Sequence, residues 1–177
     1  RNVFNKVRPV VTPEDMDGLK IRVMESPLMV NTLNAMGGSA TPMSYSELYT
    51  ALEQGVLDGG ENAAGNVLND KFYEVSGYFS LTQHFRPPGV VAISLKAWDG
   101  LTEEQQKVLT EEAAALQDYE IKLTEEVGQK ALTELKEKGM EINEADVEAF
   151  RERMGPIYAG FTEKYGPELL EQVQNTM

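Results

Sequence analysis

The stretch Leu19-Lys20-Ile21-Arg22-Val23-Met24, running directly into Glu25-Ser26-Pro27, decides how the chain folds. With a side-chain period of two, Leu19, Ile21 and Val23 share one face of a strand and Lys20 and Arg22 the other, which puts Arg22 near the strand's carboxyl end. Ser26 is a favoured N-cap and Pro27 a favoured first helical residue, so a helix follows at once. Gly37-Gly38 stops it. A second helix opens at Ser44-Tyr45-Ser46-Glu47, which has capping-box spacing; Leu48, Ala51 and Leu52 form its apolar face and Gly55 closes it. Val56-Leu57-Asp58 reads as a short strand, and Gly59-Gly60 then permits a close backbone approach, with the amide of Asn62 at the tip.

Ligands of open α/β sheets bind outside the carboxyl ends of the strands, where this spacing puts Arg22 and Asn62. A guanidinium offers a planar donor fork that matches a carboxylate, and an amide adds a donor and an acceptor for a hydroxyl or a second carboxyl group. The chemistry is that of a site for a small organic anion.

Outward from this block, Arg1 to Val11 is β-leaning but interrupted by Pro9, which suits a crossover or edge strand acting as a hinge segment. Thr12-Pro13-Glu14-Asp15 starts a single helical turn that Asp17-Gly18 ends. After Asn62 come a short helix over Ala63 to Leu68, an apolar cluster of Phe72, Tyr73 and Val75, and a strand over Tyr78 to Thr82 broken by Arg86-Pro87-Pro88-Gly89. Val90 to Leu95 is a continuous apolar run of strand length, the pattern of a strand buried on both faces. From Thr102, with capping-box spacing to Gln105, one helix can run from Glu103 to Lys138 and end at Gly139, with Gly128 as its weak point and expected bend. Val108, Leu109, Leu116, Leu123, Val127 and Leu135 give it an apolar stripe. A strand at Met140-Glu141-Ile142, Asn143 as an N-cap, and helices broken at Gly155-Pro156 and Gly166-Pro167 complete the chain. Strand–helix alternation implies an α/β fold with parallel strands.

The 177 residues carry a net charge of −13 at pH 7, which excludes a nucleic-acid backbone or an anionic membrane surface as partner because both need a basic face. With no cysteine there is neither a disulfide nor a thiolate metal site, and the single histidine, His84, cannot make a multi-histidine centre. Met24, Met29, Met36 and Met43 read as adaptable core filling.

Taken in order, Gly18 to Val23, Ala40-Thr41-Pro42-Met43 leading into Glu47 to Gly55, and Asp58-Gly59-Gly60-Glu61-Asn62 resemble the substrate-binding receptors of TRAP (tripartite ATP-independent periplasmic) transporters, DctP type. The resemblance continues through Phe72-Tyr73-Glu74-Val75, Leu81-Thr82-Gln83-His84 and the acidic helix after Trp98. It implies that Arg22 binds the substrate carboxylate, that Tyr45 sets an aromatic ring against the ligand, and that Asn62 is the binding asparagine. Gly60 departs from the family, where many members have glutamine. The resemblance also implies a periplasmic receptor without catalytic activity and without a cofactor, handing a small organic acid to the membrane subunits of a TRAP transporter. The expected fold is a periplasmic binding protein-like (type II-like) lobe with a long lobe-spanning helix, as the partial chain of a two-lobed protein. Residues 1–87 and 128–177 would form the C-terminal, substrate-binding lobe. Residues 88–127 would belong to the N-terminal lobe, whose own first segment, like a secretory signal, is expected to precede Arg1.

Residue chemistry also allows other assignments. Arg22 could pair structurally with Glu25 or Asp58; burial at a strand end would instead call for an external anion. Asn62 could serve only as a helix N-cap, and Tyr45 only as packing. Glu25 is a candidate selector of polyhydroxylated acids, and Gln83 a further ligand contact, whereas His84 reads as a structural loop residue. Asp58 and Glu61 could form the carboxylate pair of a hydrolase, although their flanking glycines suit a turn. If the segment at Val90 to Leu95 and the stripe of the long helix lack cover, the chain would associate through an apolar surface, as a homo-oligomer or with the missing N-terminal segment supplied by another chain.

Overall fold

The computed structural model describes residues 1–175. Its strands are β1 (Asn2–Asn5), β2 (Lys20–Val23), β3 (Ser39–Pro42), β4 (Gly59–Asn62), β5 (Tyr78–Leu81) and β6 (Glu141–Glu144). They form one sheet in the order β3-β2-β4-β1-β5-β6. The expected α/β fold is present, but the sheet is mixed: β2 is parallel to β3 and β4, β5 is parallel to β6, and β1 is antiparallel to both β4 and β5. Alternation forces parallel strands only within βαβ units. Between β1 and β2 stands just the single 3-10 turn Pro13–Met16, and the two strands are not neighbours.

β1 is also not an edge. It lies inside the sheet with Val3 and Phe4 fully buried, because the strand ends at Asn5 and Pro9 never meets the ladder. Val56-Leu57-Asp58 is not a strand; pairing begins at Gly59. A Cβ on Gly59 would lie 2.1 Å from the Phe4 carbonyl oxygen, and one on Gly60 2.8 Å from Phe4 Cζ. The two glycines do serve a close approach, and what approaches is β1 and its aromatic ring.

The helices are α1 (Pro27–Ala35), α2 (Leu48–Glu53), α3 (Ala64–Asn69), α4 (Leu95–Trp98), α5 (Glu103–Glu137), α6 (Val147–Glu152), α7 (Gly155–Tyr165) and α8 (Glu168–Gln174). Side chains alternate along β1, so Phe4 joins a core of Leu48, Leu52, Val67, Phe72 and Leu135, while Val3 joins one of Ile21, Val23, Met29, Leu33 and Phe150. Helices α2, α3 and the end of α5 therefore cover one face of the sheet, and α1 and α6 the other. Met29 and Met36 are buried in the second core, as expected of filling residues.

Capping differs in detail from expectation. Ser26 and Ser44 make no side-chain cap bond, and α2 is entered through a 3-10 turn, Tyr45–Glu47. Asn143 lies within β6, donating to the Val10 carbonyl at 3.0 Å, and Asp146 caps α6 instead by accepting from Ala149 N.

Helix α5 starts with the Thr102/Gln105 capping box and runs unbroken through Gly128, about 52 Å long at 1.5 Å per residue. Its buried residues are Ala131 and Leu135, whereas residues 107–127 are exposed throughout. Val90 to Leu95 forms no strand. Val90 is 83% exposed, Val91 79% and Leu95 78%, since no described strand lies beside the run, and Leu95 instead opens α4.

Candidate functional site

Arg22 occupies the third position of β2, opposite Thr41 of β3, and is 4% exposed. Its Nε donates to the Met43 carbonyl at 2.8 Å, and its guanidinium carbon lies 5.4 Å from the centroid of the Tyr45 ring. Among the described residues it forms no ion pair. The structural pairing with Glu25 or Asp58 is absent: Glu25 is exposed, and Asp58 Oδ2 accepts from the backbone of Lys20 at 2.9 Å. Burial lowers the Arg22 pKa, with the charge of Glu61 opposing it; an arginine nevertheless stays cationic.

Asn62, 3% exposed, ends β4 beside the start of α3. Its Oδ1 accepts from Ala63 N at 2.9 Å and from Asn66 Nδ2 at 2.8 Å, and its Nδ2 donates to Tyr45 Oη at 3.1 Å. Tyr45 Oη donates in turn to Asp70 Oδ2. Burial, reinforced by that carboxylate, pushes the Tyr45 phenol up to about 12. The ring is 37% exposed and packs edge-on to Phe72, so Tyr45 is at once wall and packing. The structure thus brings Arg22, Tyr45 and Asn62 together. Glu25 and Gln83 remain exposed without side-chain partners among the described residues. Gln83 has a left-handed backbone, φ 47°, held by its N–H donating to Asn2 Oδ1 at 3.0 Å.

A second layer of charge was not foreseen. Glu61 is fully buried in β4, not at a turn. Arg1 Nη2 donates to its Oε1 at 2.9 Å and to its carbonyl at 2.8 Å, and His84 Nε2 stands 3.6 Å from its Oε2, too far for a hydrogen bond. Burial alone would raise the Glu61 pKa; the Arg1 guanidinium and the His84 ring outweigh it and hold the carboxyl below its usual range. No spacing rule could have found this group. It follows from the register Asn2 against Asn62, which sets Arg1 beside the end of β4. Asp58 and Glu61 answer to different partners, the Lys20 backbone N–H and the Arg1 guanidinium. Among the described residues no cluster of three potential metal ligands occurs, and no helix is long and apolar enough to cross a membrane. A concavity of about 750 Å³ lies elsewhere, between Val91-Ala92-Ile93 and the exposed part of α5.

The profile of DctP, bacterial extracellular solute-binding protein family 7, matches residues 1–164. The chain is 38% identical over 156 residues to the 2,3-diketo-L-gulonate-binding periplasmic protein YiaO of Escherichia coli K12, covering 88% of this chain and 48% of that one. It superposes on a crystal structure of a TRAP periplasmic solute binding protein from Chromohalobacter salexigens with bound D-glucuronate. There the TM-score is 0.89 at 37% identity, over 98% of this chain and 58% of the other. A TRAP solute binding protein from Ochrobactrum anthropi gives a TM-score of 0.93 at 41% identity, over 98% and 55% of the two chains. The chain spans about half the length of the curated relatives it matches. On the extent of these matches, the chain belongs to the DctP family of TRAP solute-binding proteins.

Proposed function

We propose that the chain is the gripping part of a periplasmic receptor that binds a sugar acid and delivers it to TRAP membrane subunits, without a catalytic step. The observation that carries this reading is Arg22, a cation nine-tenths buried whose guanidinium has no carboxylate partner among the described residues. A desolvated guanidinium is stable beside an anion, and the sugar acids named for the relatives, D-glucuronate and 2,3-diketo-L-gulonate, supply a carboxylate. Arg22 takes that carboxylate, Tyr45 backs the guanidinium, Asn62 takes a neighbouring oxygen, and Glu25 and Gln83 stand at the rim for the hydroxyls. Residues 1–87 and 128–177 act as one lobe, with 88–127 part of the other. The ligand closes the two by binding the closed state more tightly than the open one. Calorimetric titration with D-glucuronate tests the pair. Arg22→Ala should weaken binding by about 2–5 kcal/mol, the cost of losing one side of a buried charge pair, with Arg22→Lys recovering only part. Unchanged affinity in Arg22→Ala would remove this reading.

A second reading, favoured by the exposure of Val90, Val91 and Leu95 together with the groove along α5, is that the chain associates through this apolar face.

A further inference from the structure

We propose that a concavity at the end of the sheet away from Arg22 receives an arginine side chain carried on a basic segment of a partner protein. The concavity holds about 590 Å³, between the end of β1, the end of α2 and the loop before β5. Asn5 pairs with Gly59 and Asn2 with Asn62, so Lys6 lies by the amino end of β4, whereas Asn62 ends that strand. The two sites can therefore be filled together.

The lining offers more acceptors than the chain itself uses. Glu53 and Glu74 are exposed, and neither has an ion-pair partner among the described residues. Glu74 Oε2 accepts from Tyr49 Oη at 2.8 Å, which leaves its other oxygen open. Ser76 lines the same concavity; it is 5% exposed and its Oγ has no hydrogen-bond partner. A buried hydroxyl in that state carries a cost that a donor relieves. Beside these acceptors stand the rings of Tyr49 and Tyr73, and Lys138 Nζ lies 5.8 Å from the centroid of the Tyr73 ring, so a cation against these aromatics is a contact the chain already makes. Leu52 and Val75 add apolar surface for an aliphatic stem. Lys6, the one cation in the lining, is turned to the Leu52 carbonyl at 3.0 Å. A guanidinium meets all of these demands, because it only donates, stacks on aromatic faces and rides on an apolar stem. The concavity is open, with Glu53, Glu74 and Gly77 exposed, and charge pairs in such a place hold a free cation weakly. Set in a protein surface, the same group is held by its neighbours as well, and a chain of net charge −13 draws a basic surface toward it.

Fluorescence anisotropy of this chain at low salt, with a labelled peptide of alternating arginine and glycine, tests the proposal. The control peptide carries citrulline, the uncharged isostere, in place of arginine and should bind far more weakly. Glu53→Gln combined with Glu74→Gln should weaken the arginine peptide about tenfold. Glu125→Gln combined with Glu126→Gln makes the same change of charge on the exposed part of α5 and should leave affinity within about twofold. Ser76→Ala should weaken the peptide about threefold without lowering the melting temperature, since it removes an unpaired hydroxyl. Saturating D-glucuronate should not displace the peptide. Equal weakening by the two double variants, equal binding of the citrulline peptide, full affinity in Ser76→Ala, or displacement by D-glucuronate overturns the proposal.

Discussion

His84 is a residue whose protonation the fold controls. Thr82 Oγ1 accepts from Val3 N at 3.2 Å and lies 2.8 Å from His84 Nδ1, a bond whose direction follows the ring tautomer. The Glu61 carboxylate that faces Nε2 at 3.6 Å only accepts, which favours the neutral tautomer with its hydrogen on Nε2. Burial is the foremost cause that lowers the His84 pKa, and Glu61 opposes it without prevailing. The folded protein thus holds its histidine neutral below the ordinary value of 6.5. On acidification the unfolded chain takes the proton first, so stability falls as pH drops from 6.5 toward the folded value. The slope is at most about 1.4 kcal/mol per pH unit for one proton. Glu61, with a lowered pKa, adds stability above 4.5 that is lost as pH falls further. Urea unfolding should therefore give a lower free energy at pH 5.5 than at pH 7.5, and His84→Gln should flatten that interval while the loss below pH 4.5 persists. An unchanged slope in His84→Gln would assign the proton elsewhere. Strand period and turn spacing, which act locally, put Arg22 and Asn62 at strand ends in the sequence, whereas Tyr45 is placed beside them only by the resemblance to the family. The Arg1–Glu61–His84 group was not legible, because it depends on which strands pair and in what register.

At the scale of elements, Gly59 and Gly60, read as permitting a close approach, and Gly128, read as a bend, have opposite meanings once packed. Gly59 and Gly60 sit where β1 closes on β4, and a Cβ at Gly60 would press on Phe4 Cζ at 2.8 Å and Leu48 Cδ2 at 3.1 Å. Gly60→Ala should cost about 1–3 kcal/mol by overpacking. Gly128 has nothing within 4 Å of a Cβ position and lies inside a continuous helix, so Gly128→Ala should stabilise by about 0.8–1.0 kcal/mol through helix propensity. Thermal unfolding of both variants checks the pair, and equal shifts would contradict the packing argument. Sequence signals located α1 and α5 well, since Pro27, the Thr102/Gln105 capping box and Gly139 are local instructions. They misplaced the strand at β4, because Leu57 looked more strand-like than two glycines, and only the ring of Phe4 explains why glycines belong in the ladder. They also misread Val90 to Leu95: an apolar run states that a surface needs cover and does not say what covers it.

Across the whole molecule, two tendencies oppose each other. The chain carries −13 at pH 7, so two copies repel, and yet it displays an apolar strip from Val90 to Leu95 and along Val108, Leu116, Leu123 and Val127 of α5, none of them buried. Contact through that strip removes apolar area from water, worth about 25 cal/mol per Å² before association costs, while repulsion between exposed charges is screened within about 10 Å at 0.1 M salt. The balance should shift with ionic strength. Sedimentation velocity of the chain should show a larger species gaining at higher salt, with a dye that binds apolar surface losing fluorescence as the strip is covered. Leu116→Glu adds a charge in the groove shared with Val91, Ile93 and Trp98 and should return the chain to its monomer mass at every salt concentration. Arg22 and the sheet lie apart from this strip, so that variant should keep its thermal stability. Association that weakens with salt, or that persists in Leu116→Glu, would place the contact on a charged surface instead and leave the apolar face unexplained.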